Sequence, residues 1–216
     1  MTTMQTGAPI GLADLLAHFE RLRAAAAVEE NDHHRKTFRN YILRSMLAVA
    51  GRCEDIVDLE LVVETPRYEF FDIGLLIEGR LGLANYHREQ VRAESAVTLS
   101  EDQRLAFSDW GLAVERVDHT FLPAGVAAKR GLIPSEQPGD FFIEHRRAGM
   151  AYSYDELGRL ISLRAYPAAS ATFTRVDRGD FLDAAAVSAE FENTIAVAWQ
   201  EFTRNPTPAH RIGAQR

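Results

Sequence analysis

The 216-residue chain predicts an α+β domain, with helices set apart from a mainly antiparallel sheet. Three observations predict it. Residues 11–49 carry two helical stripes of apolar residues, residues 140–167 read as a long antiparallel hairpin, and residues 181–202 return to helical spacing. Residues 11–203 are therefore expected to form one domain, with loose tails at 1–10 and 204–216.

From Gly11 onward, Leu12, Leu15, Leu16, Phe19 and Leu22 recur at intervals of three and four, predicting an amphipathic helix to about Val28. Asn31 and Asp32 are suited to cap a second helix, on which Phe38, Tyr41, Ile42, Ser45, Met46 and Val49 share a face, Arg39 and Arg44 flank it, and Gly51 ends it. Glu54–Val63 fits either a third short helix or a strand; it does not alternate strictly, which favours the helix, and Pro66 then breaks the chain. Tyr68–Ile73 predicts a strand, and Glu78-Gly79-Arg80 a turn into a helix over Leu81–Ala93. Ser95–Gln103 reads as a loop leading into one long strand, Arg104–Leu122, bent at Gly111. Pro123-Ala124-Gly125 closes it, Val126–Arg130 predicts a helical turn, and Pro134–Gly139 a loop.

The hairpin organises the rest. Two runs rich in aromatic and β-branched residues flank Asp155-Glu156-Leu157-Gly158, a short polar connection ending in glycine. Alternation sorts the first arm into two sets: Phe142, Glu144, Arg146, Ala148, Met150, Tyr152 and Tyr154 against Phe141, Ile143, His145, Arg147, Gly149, Ala151 and Ser153. Neither set is wholly apolar or wholly polar. Such mixing is expected where one side of a curved sheet lines a pocket, and equally where arginines and Glu144 lie on a wet face. Ala168–Arg175 extends the second arm, and Phe181–Phe202 predicts the last helix.

Composition narrows the function classes. Hydrophobic residues at 46% and charged residues at 25% fit a globular protein with a sizeable core. A net charge of −7 argues against a nucleic-acid surface, which needs clustered basic charge. No apolar run reaches membrane-spanning length, and the N-terminus lacks the pattern of a secretory signal, so a cytoplasmic protein with no membrane partner is expected. The single cysteine, Cys53, rules out an internal disulfide framework. Neither glycine-rich phosphate loop is present, and Gly-x-Ser-x-Gly is absent. Asp32, His33 and His34 point too far apart on a helix to share a metal ion, and Lys129 beside Arg130 is a poor Schiff-base lysine. No metal and no cofactor are expected.

Three local phrases and their order resemble the SnoaL-like, nuclear transport factor 2-like superfamily. They are Ile77-Glu78-Gly79-Arg80 before a helix with Tyr86, Asp109-Trp110-Gly111 through His119, and Tyr152-Ser153-Tyr154-Asp155-Glu156-Leu157-Gly158-Arg159-Leu160-Ile161. The match covers roughly residues 30 to 167. The resemblance implies a cone-like, cystatin-type roll, a strongly curved sheet wrapped around N-terminal helices over a deep cavity, here with an extra C-terminal helix. It also implies a homodimer through the exposed sheet face. Members include cofactor-free isomerases, dehydratases, cyclases, epoxide hydrolases and lyases, among them lyases that release formaldehyde from lignin-derived diaryl compounds, and non-catalytic binding proteins. Catalytic positions vary between branches, so none is carried over.

The residues that could do acid–base work follow from type and face. Tyr41, Asp72, His119 and His145 are the catalytic candidates, and His18, His33, His34 and His87 are the remaining histidines in structured segments. Arg44, Tyr68, Phe70, Trp110, Glu144, Arg147 and Tyr152 are candidates for holding substrate. Tyr68, Phe70 and Asp72 share a strand face, and Arg147 or Arg44 is suited to an anionic or phenolate oxygen. The expected function is a cofactor-independent lyase, dehydratase or isomerase on a small, apolar, aromatic substrate. The rival is a non-enzymatic module binding a ligand or partner in the same cavity.

Overall fold

A computed structural model describes residues 10–129, 139–168 and 170–204, apart from the side chain of Asp102. The expected tails and the loop at 134–139 lie almost entirely outside the described residues. The order is α1 (Leu12–Ala27), α2 (Asp32–Val49), α3 (Cys53–Asp58), β1 (Val62–Phe70), β2 (Leu75–Glu78), α4 (Gly79–Arg92), β3 (Thr98–Ser108), β4 (Gly111–Pro123), α5 (Ala124–Lys129), β5 (Phe141–Tyr154), β6 (Leu160–Pro167), β7 (Thr172–Val176) and α6 (Ala184–Thr203). The strands form a curved sheet in the order β2-β1-β6-β5-β4-β3, with β7 also on β5. The β1–β6 pair is parallel and the others are antiparallel.

β5 is the spine of this sheet. Along one edge it pairs with β4 without interruption from Phe141 to Ser153. Its other edge is shared, β6 taking Ala148–Tyr154 and β7 taking Phe141–His145. The β5–β6 tip is built as the sequence predicts. Asp155 accepts hydrogen bonds from the backbone of Leu157 and Arg159 at 3.0 and 2.8 Å, and Gly158 takes a φ of 72°.

Helix α2 lies between the sheet and α6, and is buried nearly all round. Asn31 caps it by accepting from the backbone of His33 and His34. Asn40 Nδ2 donates to the Leu61 carbonyl at 2.8 Å, tying mid-helix to the start of β1. On the side towards α6, Arg23 and Arg39 both bind Glu201, the first through its carboxylate and the second through its carbonyl.

Five expectations need correction. The segment Glu54–Val63 is split: α3 stops at Asp58 and β1 begins at Val62. Pro66 lies inside β1 instead of breaking it, because it falls at the register shift between Val62 and Arg67, where a missing N–H costs no ladder bond. The single strand over 104–122 is two strands, β3 and β4, joined by a two-residue turn at Asp109-Trp110. β3 also starts earlier than expected, at Thr98, because Thr98 and Ser100 spend their hydroxyls on Thr120 and Asp118 across the strand pair. In sequence that polarity imitates a loop. Finally, residues 168–175 do not extend β6; β7 is a separate strand.

Gly111 opens β4 where a Cβ would lie 2.4 Å from the Tyr152 carbonyl oxygen, a backbone atom that cannot swing away. Gly111→Ala is therefore expected to destabilise the protein by about 2 kcal/mol or more, read as a lower urea midpoint with an unchanged slope.

Candidate functional site

Between the sheet and helices α1, α2 and α4 lies a cavity of about 630 Å³. That volume is within the range of small-molecule sites. Its strand side comes from one face of each strand. Alternation puts Arg116, Asp118 and Thr120 of β4 and Glu144, Arg146, Met150 and Tyr152 of β5 on the same surface, because directly paired residues share a face. Tyr68 and Phe70 of β1 join them, and Asp72 and Ile73 enter from the β1–β2 turn. The helices contribute His18 and Phe19 from α1, Tyr41 and Arg44 from α2, and Tyr86 and His87 from α4.

The polar groups form three sets. In the first, Arg116 Nη1 donates to the Tyr41 hydroxyl oxygen at 2.7 Å, and Gln103 Nε2 donates to the same oxygen at 2.5 Å. Arg116 Nε also pairs with Asp118 at 2.8 Å, and Ser100 donates to Asp118 at 2.7 Å. Burial raises the Tyr41 phenol to about 12 against the pull of Arg116, so it is protonated at neutral pH. In the second, Arg146 pairs with Glu144 at 2.6 Å and with Asp72 at 3.3 Å, one guanidinium between two carboxylates. In the third, Arg44 Nη1 donates to the Tyr68 hydroxyl at 3.0 Å, and its guanidinium lies 5.1 Å from the Tyr152 ring centre. Burial works to lower the Arg44 pKa, but the oxygens of Tyr68, Tyr154 and Tyr152 outweigh it and hold the group as a cation.

The expected site residues divide. Tyr41, Arg44, Tyr68, Phe70, Asp72, Glu144 and Tyr152 all line the cavity. His119, His145, Trp110 and Arg147 do not. His119 and His145 pair across β4 and β5 on the opposite face, their Nδ1 atoms 2.6 Å apart. There His119 meets Glu101 and His145 meets Thr174. Burial and the neighbouring His119 lower the His145 pKa. Arg147 is on that same face, largely exposed and paired with Glu115 at 2.7 Å. Trp110 occupies the β3–β4 turn and is 66% exposed, because a turn tip has nothing to pack against. Asp72 reaches the cavity from a turn instead of a strand.

Sequence reasoning did not single out Arg116, Asp118 or Gln103. Arg116 and Asp118 alternate with Val117 and His119, which is a legible signal once the strand's inner face is known. Among the described residues, no cluster of three or more His, Cys, Asp and Glu is placed to hold a metal ion. Likewise, no helix is long and apolar enough to cross a membrane.

No protein-family model matches the chain, and no curated protein matches it in sequence. Solved structures do. An NTF2-like protein from Anabaena variabilis aligns with a TM-score of 0.49 at 10% identity, over 66% of this chain and 95% of that one. SalBIII, an epoxide hydrolase/cyclase-like enzyme with a role in pyran ring formation in the polyether salinomycin, aligns at 0.47 and 16%, over 64% and 95%. An NTF2-like protein with a cystatin-like fold from Novosphingobium aromaticivorans aligns at 0.41 and 18%, over 72% and 90%. These are likenesses in the course of the chain. Helices seated in the hollow of a bent sheet are the arrangement seen here. The fold is α+β, a curved mixed sheet with N-terminal helices and a C-terminal helix.

Two histidines in this cavity are held neutral. Burial, with Arg21 and Arg116 nearby, lowers His18 to about 4, and burial with Arg44 nearby lowers His87 to about 4. Each binds a proton more readily in the unfolded chain. Their contribution to stability is therefore fully present above pH 6.5 and is lost as pH falls towards 4. The loss is on the order of 3 kcal/mol per histidine. Urea unfolding at pH 7.5 and pH 5.0 is expected to show a smaller drop in stability for His87→Gln than for the wild type.

Proposed function

We propose that the cavity is the active site of an enzyme that moves protons with its own side chains, a lyase, dehydratase or isomerase acting on a small, largely apolar aromatic molecule. One observation carries the reading: a protonated tyrosine and two carboxylates sharing one arginine line the same cavity.

The Tyr41 oxygen accepts two hydrogen bonds, so its own proton is left to give. When negative charge grows on a substrate oxygen, Tyr41 donates to it, and Arg116 steadies the phenol oxygen behind. Glu144 and Asp72 face a single cation and hold one negative charge more than it neutralises. One of them is the base. It takes a proton from a substrate carbon, and the electron pair left behind moves towards an oxygen bound by Tyr41 or expels a leaving group that Tyr41 protonates. The apolar wall of Phe19, Phe70, Tyr86 and Met150 excludes water and suits an aromatic ring. Release of formaldehyde from a lignin-derived diaryl compound would use the same pair differently: the base takes the proton of a hydroxymethyl group, its C–C bond breaks to give formaldehyde, and the electron pair expels a neighbouring hydroxyl that Tyr41 protonates as water.

The test is a panel of aryl alcohols, diaryl propanoid alcohols and aromatic ketones, with and without a carboxylate, followed by product mass. Loss of water, loss of formaldehyde, or an unchanged mass with altered retention separates dehydratase, lyase and isomerase. With the substrate found, Tyr41→Phe and Glu144→Gln are each expected to lower kcat by on the order of 10²-fold with the fold retained by circular dichroism. Arg147→Ala and His145→Gln, on the other face, are expected to leave kcat within about twofold. Full turnover by Tyr41→Phe removes Tyr41 from the acid–base pair, and no turnover of any panel member puts a ligand-binding module in place of the enzyme.

A further inference from the structure

The cavity holds three arginines, and two are matched. Arg116 has Asp118, and Arg146 has both Glu144 and Asp72. Arg44 is 5% exposed and, among the described residues, has no carboxylate within ion-pair distance. Its neighbours are the tyrosines 68, 152 and 154, and its Nε and Nη2 make no well-aligned hydrogen bond. A buried guanidinium satisfied only by phenols is costly to keep, since an isolated charge in an apolar interior loses its hydration and gains no countercharge.

We infer that the substrate carries a carboxylate and that Arg44, with Tyr68, is its binding site. This rests on the cavity being the place where substrate binds. Arg44 offers the planar fork that grips two carboxylate oxygens at once. The Tyr68 oxygen already accepts from Arg44, so the hydroxyl proton is free to make a further bond to the same anion. Burial raises the Tyr68 pKa against the effect of Arg44, and the phenol stays a donor. One unmatched cation calls for one negative charge. A phosphate, with nearly two, needs a second free cation, and both other arginines are committed. The same site divides the cavity electrically: surplus positive charge at Arg44, surplus negative charge where Glu144 and Asp72 share Arg146. An aryl or aryl-aliphatic acid bound by its carboxylate at the first end therefore presents its uncharged part to the rest of the cavity.

The experiment measures binding, not turnover. trans-Cinnamate, 3-phenylpropanoate and 2-naphthoate are titrated by calorimetry against the wild type, each beside its neutral amide. At least one acid is expected to bind tenfold or more tightly than its amide. Arg44→Met, which removes the charge and keeps much of the volume, is expected to lose that preference while retaining a cooperative melt. Should Arg44→Met fail to fold, Tyr68→Phe is expected to reduce the preference severalfold. The inference is overturned if no acid outbinds its amide, or if the variant that folds keeps the full preference. Because nothing here depends on catalysis, the acid–base reading can fail with the carboxylate preference intact, and the preference can vanish while Tyr41-dependent turnover persists.

Discussion

A positive charge at Arg44, in the middle of a helix that is covered on nearly every side, is the constraint to which the rest of the interior answers. Taken out of water, a guanidinium must be surrounded by oxygen or it does not stay. Here the oxygens come from two strands that meet only because the sheet bends: Tyr68 on β1, and Tyr152 and Tyr154 on β5. Were the sheet flat, those phenols could not reach one helix together. The same curvature keeps α2 from closing onto the strands, and the space left over is the cavity.

The hydrogen bonds of Tyr41 show a second use of that helix. Three residues earlier than Arg44, Tyr41 lies on the same helical face and meets β3 and β4 instead of β1. One face of α2 thus serves two walls. Asn40, at the neighbouring position, secures the helix to the start of β1, so the two functional side chains are fixed by a backbone contact that neither of them makes. Rigid support of this kind is what a site needs if its polar atoms are to hold their places when water is displaced.

Much of this was legible in the residues. Helices α1, α2 and α6, the β5–β6 hairpin and the face of β5 bearing Glu144, Arg146, Met150 and Tyr152 follow from periodicity and turn chemistry. The failures share a cause. Strands whose inner face is polar look like loops or surface, so Thr98 and Ser100 hid the start of β3, and Arg116 and Asp118 were not singled out. His119 and His145 attracted notice by residue type alone. Type does not say which side of a sheet a side chain takes; one residue of register decides it. His18 and His87 do reach the cavity, and their helices carry them there on faces that were read only for apolar packing.

The Arg146–Asp72 pair joins a central strand to a turn, with the 68%-exposed Ile73 next along the chain. The two ends of that link are under unequal constraint. Residues 71–74 can change in length or identity without disturbing the ladder, whereas Arg146 is locked between β4 and β6. Selection for a new ligand therefore has a cheap dial and an expensive one: the rim can be rewritten within a lineage while the floor is inherited.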